Sequence, residues 1–379
     1  MPKFNDFMLN SGLLALIYVF LFVFGAIVGS FVNVWIARLS RDKSVLWPLS
    51  SRCGNCFQAI RWYDNLPLLS YWLLRGRCRT CGATFSVRYF VIELLIAAAM
   101  PALYYLEIIR NIHGIPRFNG AASTLQHSLF SPQSLQYHFF FLHHAVLFCF
   151  LVACASCDLQ YRTIPLSLTM TGTIIGLVLS ACFPWPWPNS LTTAMPHAPA
   201  EITEWWLLGP DQMQKAGLYA WPVWGPLPSW LAPGTWQLGL ATGLAGALLG
   251  TFLLRAVKFL FEKGLRKEAL GLGDADLMMM AGAFLGWQPV VVAFLVGCLV
   301  SLLLAVPNLI LRGDNVLPFG PGLAIGTVLT WLSWSEIGPG LQLIFFRAEF
   351  MLFFAGGSAA VILIMSYLIS LVQGSTRRT

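Results

Sequence analysis

Apolar segments of the length that crosses a lipid bilayer recur along this chain from residue 12 almost to its end. A crossing helix needs about 20 such residues, and it must be a helix because hydrocarbon offers the backbone no other hydrogen-bond partner. The candidates lie at 12–37, 89–109, 139–157, 165–183, 238–257, 275–287, 290–311, 318–335 and 349–373. The sixth is too short to cross alone and is expected to continue through Trp287-Gln288-Pro289, which makes eight or nine helices. The first has neither the basic flank nor the small-residue cleavage site of a removable signal peptide, so it is expected to be retained. Only 10% of the 379 residues are charged and 57% are hydrophobic, with a mean hydropathy of +0.70. A soluble domain carries about 25% charged residues. Disorder, collagen-like repeats and nucleic-acid binding are excluded, and nine cysteines are too dilute for a small disulfide scaffold. The expected fold class is an all-α polytopic membrane protein.

The net charge of +7 is concentrated in one place. Residues 38–88 hold nine Lys and Arg (Arg38, Arg41, Lys43, Arg52, Arg61, Arg75, Arg77, Arg79 and Arg88) against Asp42 and Asp64. Basic loops stay on the cytoplasmic side, so this polar insert is expected inside and the N-terminus outside. Nine spans would then put Lys258, Lys263, Arg266, Lys267, Arg312, Arg377 and Arg378 inside too. The longest outside loop, 184–236, is rich in Pro and Trp and has Lys215 against Glu201, Glu204 and Asp211. It reads as an interfacial lid or insertion, since Trp rings prefer the membrane interface, or as a recognition surface.

Within the insert, Cys53-Gly-Asn-Cys56 and Cys78-Arg-Thr-Cys81 form two CxxC knuckles separated by 21 residues. Two such knuckles can close a tetrahedral site of four thiolates, and a cytoplasmic location disfavours disulfides. Structural zinc is the expectation; a redox pair or unrelated thiols is the alternative. Four filled ligand positions leave none for a reacting water, so this metal is not expected to be catalytic. Cys149, Cys154, Cys157, Cys182 and Cys298 lie in or beside apolar spans and read as small hydrophobes.

Where charge is scarce, acids at span ends stand out, because an Asp deep in a bilayer costs about 2.5–3.5 kcal/mol. Asp158 ends the third span and Asp274 opens the sixth within GLGDADL, both expected at the cytoplasmic edge. Two close carboxyls cannot both ionise cheaply, so one keeps its proton. The ionised one can deprotonate water while the protonated one polarises a scissile carbonyl. Gly271 and Gly273 are expected to permit unusual backbone conformations and close approach of substrate. Taken singly, Asp158 also reads as a helix-end acid, Asp274 as an N-cap and Asp276 as a first-turn dipole partner.

These blocks resemble the type IV prepilin leader peptidase/N-methyltransferases, membrane aspartic proteases with a GxGD motif. The resemblance is carried by GSFVNVWIARL (29–39), the cysteine insert and its flank (51–94), Asp158 with Ile164-Pro165, GLGDADL (271–277) with GAFLGW (282–287), and LPFGPGLA (317–324). It implies Asp158 and Asp274 as the catalytic pair, and Cys53, Cys56, Cys78 and Cys81 as zinc ligands. It also implies cleavage of basic leaders from prepilins or pseudopilins, followed by methylation of the new N-terminal residue with S-adenosylmethionine. The chain departs from the family at Asp276, where lysine is usual, and at Leu166, where an acid or Asn often stands.

The expected organisation is a first helix (1–37), a methyltransferase-associated zinc insert (38–88) and a peptidase core (89–379) carrying the outer loop. The expected setting is the inner (plasma) membrane, with lipid and pilin-like precursors as partners and no nucleic acid. Gly271, Gly273 and Asp276 are candidate substrate contacts. The rival readings are a peptidase without methyltransferase activity, and a zinc-ribbon membrane scaffold or transporter.

Overall fold

The computed structural model describes residues 2–41, 51–113, 135–183, 231, 235–265, 271–312, 319–341, 345 and 348–376. The Trp/Pro-rich loop expected over 184–236 lies outside them, except for Leu231, Thr235 and Trp236. Among the described residues the chain is helical, with only two isolated β-bridges, Arg52 to Ala59 and Arg77 to Thr84. Six helices are long and apolar enough to cross a membrane, and Leu166–Cys182 and Phe319–Leu332 are shorter apolar helices. The protein is a multi-pass membrane protein. Its chain divides into two compact units, residues 1–111 with 117–161, and residues 112–116 with 162–379.

The first unit contains α1 (Pro2–Leu39), the cysteine insert with a 3-10 turn (Trp62–Asn65) and α2 (Leu69–Leu73), then α3 (Arg88–Tyr104) and α4 (Leu135–Tyr161). Lipid is as apolar as leucine, so helices associate here by close packing of small residues rather than by escape from water. Gly25 and Gly29, one turn apart on α1, let it lie against α3. A Cβ on Gly29 would come 2.8 Å from the Cα of Glu93, and one on Gly25 2.9 Å from that of Ala97. Trp35 of α1 packs on Phe150 of α4 with ring centroids 4.9 Å apart. After Pro101, α3 loosens into one π-type turn, Tyr105–Ile109. That turn carries Glu107, whose Oε1 lies 2.8 Å from His144 Nδ1, with both side chains sealed from solvent.

The second unit runs α5 (Leu166–Cys182), α6 (Trp236–Leu265), α7 (Leu272–Leu285), α8 (Trp287–Arg312), α9 (Phe319–Leu332), α10 (Trp334–Gly340) and α11 (Ala348–Thr376). Helix α7 is its centre, buried from Ala275 to Leu285 apart from Met279. Gly246 of α6 and Gly282 of α7 meet backbone to backbone, and a side chain on either would strike the other's carbonyl oxygen. The Ser180 hydroxyl of α5 donates to the Ala283 carbonyl at 2.9 Å. Leu302, Leu303, Leu352 and Phe353 point outward with more than 60% of their surface open, as side chains facing lipid must.

One expectation fails here. Helix α7 does not continue through Trp287-Gln288-Pro289. Gly286, at φ 84°, ends it and donates its N–H to the Gly282 carbonyl at 2.8 Å. Trp287 then opens α8, and Pro289 falls in that first turn, where the missing N–H costs nothing. At 14 residues, α7 is about 21 Å long, short of the hydrocarbon core's thickness of about 30 Å.

Candidate functional site

The four insert cysteines converge. Their sulfurs all lie within 4.8 Å of one another, and Cys53 Sγ is 3.8 Å from Cys81 Sγ. A tetrahedron with metal–sulfur bonds of about 2.3 Å has sulfurs about 3.8 Å apart, so the donor set fits zinc. The knuckles are built alike. Cys53 N–H donates to Gln58 O and Phe57 N–H to Cys53 O; in the second, Cys78 N–H donates to Ala83 O and Gly82 N–H to Cys78 O. The residue after each second cysteine is left-handed, Gly82 at φ 70° and Phe57 at φ 57°. Arg79 clamps the two halves together through a forked pairing with Asp64, its Nε and Nη2 within 3.0 Å of the carboxylate oxygens. That guanidinium holds the Asp64 carboxyl below its ordinary range.

Backbone N–H groups also prepare the thiols. The Ala83 N–H, with smaller help from Asn55 and the neighbouring cysteines, draws Cys81 down to about 6. N–H groups of Cys81 and Thr80 lower Cys78 as well. Cys56 receives an N–H from Gln58, but burial and three neighbouring sulfurs together push it up to about 11.

Beside the cysteine cluster lies a cavity of about 460 Å³ between the end of α1, the insert and the first turns of α3. It is large enough for a nucleoside-sized ligand. Asn33, Arg38, Arg52, Asp64 and Glu93 line it together with Cys53.

Asp158 lies in the last turn of α4, 8% exposed and next to Cys157, whose sulfur accepts the Ser40 hydroxyl at 3.2 Å. Cys149, Cys154 and Cys157 are buried in α4, as expected of small hydrophobes, whereas Cys182 is exposed.

In the second unit, Asp274 sits in the first turn of α7 behind Gly271. The glycines do not take the unusual backbone conformations expected of them. Gly271 has an ordinary extended backbone, φ −68° and ψ 144°, and Gly273 is helical, so neither uses a conformation closed to other residues. Gly273 instead provides room, since a Cβ there would come 3.0 Å from Ile164 Cβ. Ile164 begins the Ile-Pro pair that follows Asp158 in sequence. Asp276 is 8% exposed and faces Arg255 of α6 at 3.6 Å. An arginine from another helix thus supplies a positive charge beside the position where the resemblance expected lysine.

Sequence reading passed over Glu93, Glu107 and Arg255. The signal for the first two was the one that picked out Asp158 and Asp274, a carboxylate in an apolar helix. Arg255 had no local signal, because its partner lies 21 positions away.

Residues 23–107 match the bacterial peptidase A24 N-terminal domain and residues 221–306 the type IV leader peptidase family. A prepilin leader peptidase/N-methyltransferase of Myxococcus xanthus is 33% identical over 71% of this chain, though the alignment spans only 56% of that protein. The Pseudomonas putida protein of the same name is 25% identical over 83% of this chain and 90% of its own length. A type 4 prepilin-like proteins leader peptide-processing enzyme of Escherichia coli is 27% identical over 81% and 90%. No solved structure matches the chain.

Proposed function

Since the chain belongs to the type IV leader peptidase family, we propose that it cleaves the basic leaders of prepilins or pseudopilins and methylates the N-terminus so exposed. Asp158 and Asp274 are the catalytic carboxylates. One is ionised, takes a proton from water as it attacks the scissile carbonyl and then passes that proton to the leaving amine; the other, protonated, hydrogen-bonds the carbonyl oxygen. Gly271, Gly273 and Asp276 border the path of the substrate backbone. The observation that carries the reading is the packing of Ile164 on Gly273. It joins the Ile-Pro pair after Asp158 to the turn that bears Asp274, with only residues 159–163 between Asp158 and Ile164.

The cysteine insert (38–88) serves methyl transfer and the helices of 89–379 serve cleavage. Zinc held by Cys53, Cys56, Cys78 and Cys81 is structural, since four thiolates fill its coordination. S-adenosylmethionine would supply the electrophilic methyl group. The protein resides in the inner membrane with its N-terminus outside and both sites cytoplasmic, an orientation that the positive charge of residues 38–88 supports.

The test is mass spectrometry of a prepilin substrate incubated with Asp158→Asn or Asp274→Asn. Either change should abolish leader removal, and a fully active single variant would overturn the assignment. A mature substrate lacking the added methyl group would reduce the protein to a peptidase.

A further inference from the structure

The cavity beside the cysteine cluster lies entirely within the first unit, and its walls differ in chemistry. One wall is aromatic. Tyr71 and Phe90 line it with ring centroids 5.6 Å apart and planes tilted by 31°. Another holds the carboxylate of Glu93, which is fixed in place: its Oε2 accepts the Leu68 N–H at 2.8 Å, and the Ser30 and Asn33 side chains hydrogen-bond it as well. Asn33 is 6% exposed and donates to the Tyr89 carbonyl at 2.9 Å. Leu68 presents its N–H from φ 63° and ψ −47°, a backbone conformation that L-residues rarely adopt and that persists only where surroundings enforce it. Arg38 and Arg52 bring positive charge to the same space.

An acid within an apolar helix marks a site, and this one faces a space of nucleoside size. A ligand complementary to these walls needs a flat ring for the aromatic face, a cationic centre for Glu93 and an anionic end for an arginine. S-adenosylmethionine carries adenine, a sulfonium and a carboxylate. We propose that this cavity is its binding site, with adenine against Tyr71 and Phe90 and the sulfonium facing Glu93. The assignment rests on the methyl-transfer reading above and adds to it a location and a charge-reading residue.

The test uses the full-length, zinc-loaded protein in detergent, titrated calorimetrically with S-adenosylmethionine and with S-adenosylhomocysteine, whose thioether has no charge. Glu93→Gln should weaken the sulfonium ligand by about tenfold or more, the scale of one lost charge-assisted contact. The thioether ligand should lose much less. Retained thioether binding also shows that the variant has folded. On the unaltered protein, ultraviolet crosslinking of labelled S-adenosylmethionine should place the label on peptides containing Tyr71 or Phe90. Equal weakening of both ligands, no weakening of either, or label only outside residues 30–93 would overturn the site. Label elsewhere on a protein that still methylates its substrate overturns the cavity and leaves methyl transfer standing. If the unaltered protein binds neither ligand and adds no methyl group, both fall.

Discussion

Gly273 and Ile164 are in contact so close that a methyl group on the glycine would come within 3.0 Å of the isoleucine Cβ and 3.3 Å of its carbonyl oxygen. Two motifs more than a hundred positions apart in sequence therefore meet at a point where an added side chain would press on Ile164. Gly273→Val should push the Asp274 turn away from Ile164-Pro165. A displacement of about 1 Å can cost about 100-fold in rate, and a fall of that order in kcat/KM for leader cleavage is expected. Trimming the partner, Ile164→Ala, should recover part of the loss in the double variant. A Gly273→Val protein with full activity would show that the contact has no bearing on the chemistry.

The 3.6 Å pair between Arg255 and Asp276 stands where the resemblance places a lysine at 276. Arg255 is 57% exposed in its side chain, so solvent screens the pair and its worth is about 0.2–1 kcal/mol. Asp276→Lys would set two cations side by side and should lower the thermal midpoint. Adding Arg255→Glu should restore it. Additive losses across the four proteins of this cycle would mean that the two residues do not interact.

The left-handed residues of the two knuckles allow a backbone effect to be measured without a packing effect. A Cβ on Gly82 would meet nothing within 4 Å, so Gly82→Ala isolates the cost of a left-handed L-residue, about 1–2 kcal/mol. Phe57 already bears that cost at φ 57°, and Phe57→Gly should remove it. Competition with a metal chelator should show Gly82→Ala losing about tenfold in zinc affinity and Phe57→Gly gaining. A change in the same direction for both variants would contradict the equivalence of the knuckles.

Much of this arrangement could be read from the sequence because membrane helices and metal knuckles are local. Each of the nine apolar segments corresponds to a helix, since about 20 apolar residues leave a bilayer-embedded backbone no alternative. The CxxC pairs converge because each knuckle is closed by its own backbone hydrogen bonds. What could not be read was set by contacts between distant segments. The break at Gly286 depends on a glycine's φ rather than on hydropathy. Arg255 finds Asp276, and Glu107 finds His144, only through helix packing. Glu93 was legible as an acid in an apolar helix, yet its place beside the cysteine insert follows from Gly29 letting α1 approach α3.

Zinc binding should release fewer than four protons. Cys81, held by the Ala83 N–H, titrates at about 6 against an ordinary value of 9.0. It is therefore already a thiolate at pH 7.5, whereas Cys56 at about 11 is still a thiol. The sign follows from linkage: a depressed folded pKa gives stability that is complete above the unfolded value near 9 and is lost as pH falls through about 6. Metal competes with protons for the same sulfurs. Calorimetry in buffers of different ionisation enthalpy should count fewer than four protons per zinc at pH 7.5. Competition with a chromophoric chelator should show zinc affinity falling more steeply below pH about 6, where Cys81 of the metal-free site takes up its proton. Ala83→Pro removes the N–H that holds Cys81 down, and should raise the proton count and move that steepening to higher pH. Four protons released by the unaltered protein, or a steepening unmoved in Ala83→Pro, would mean that this N–H does not set the thiolate.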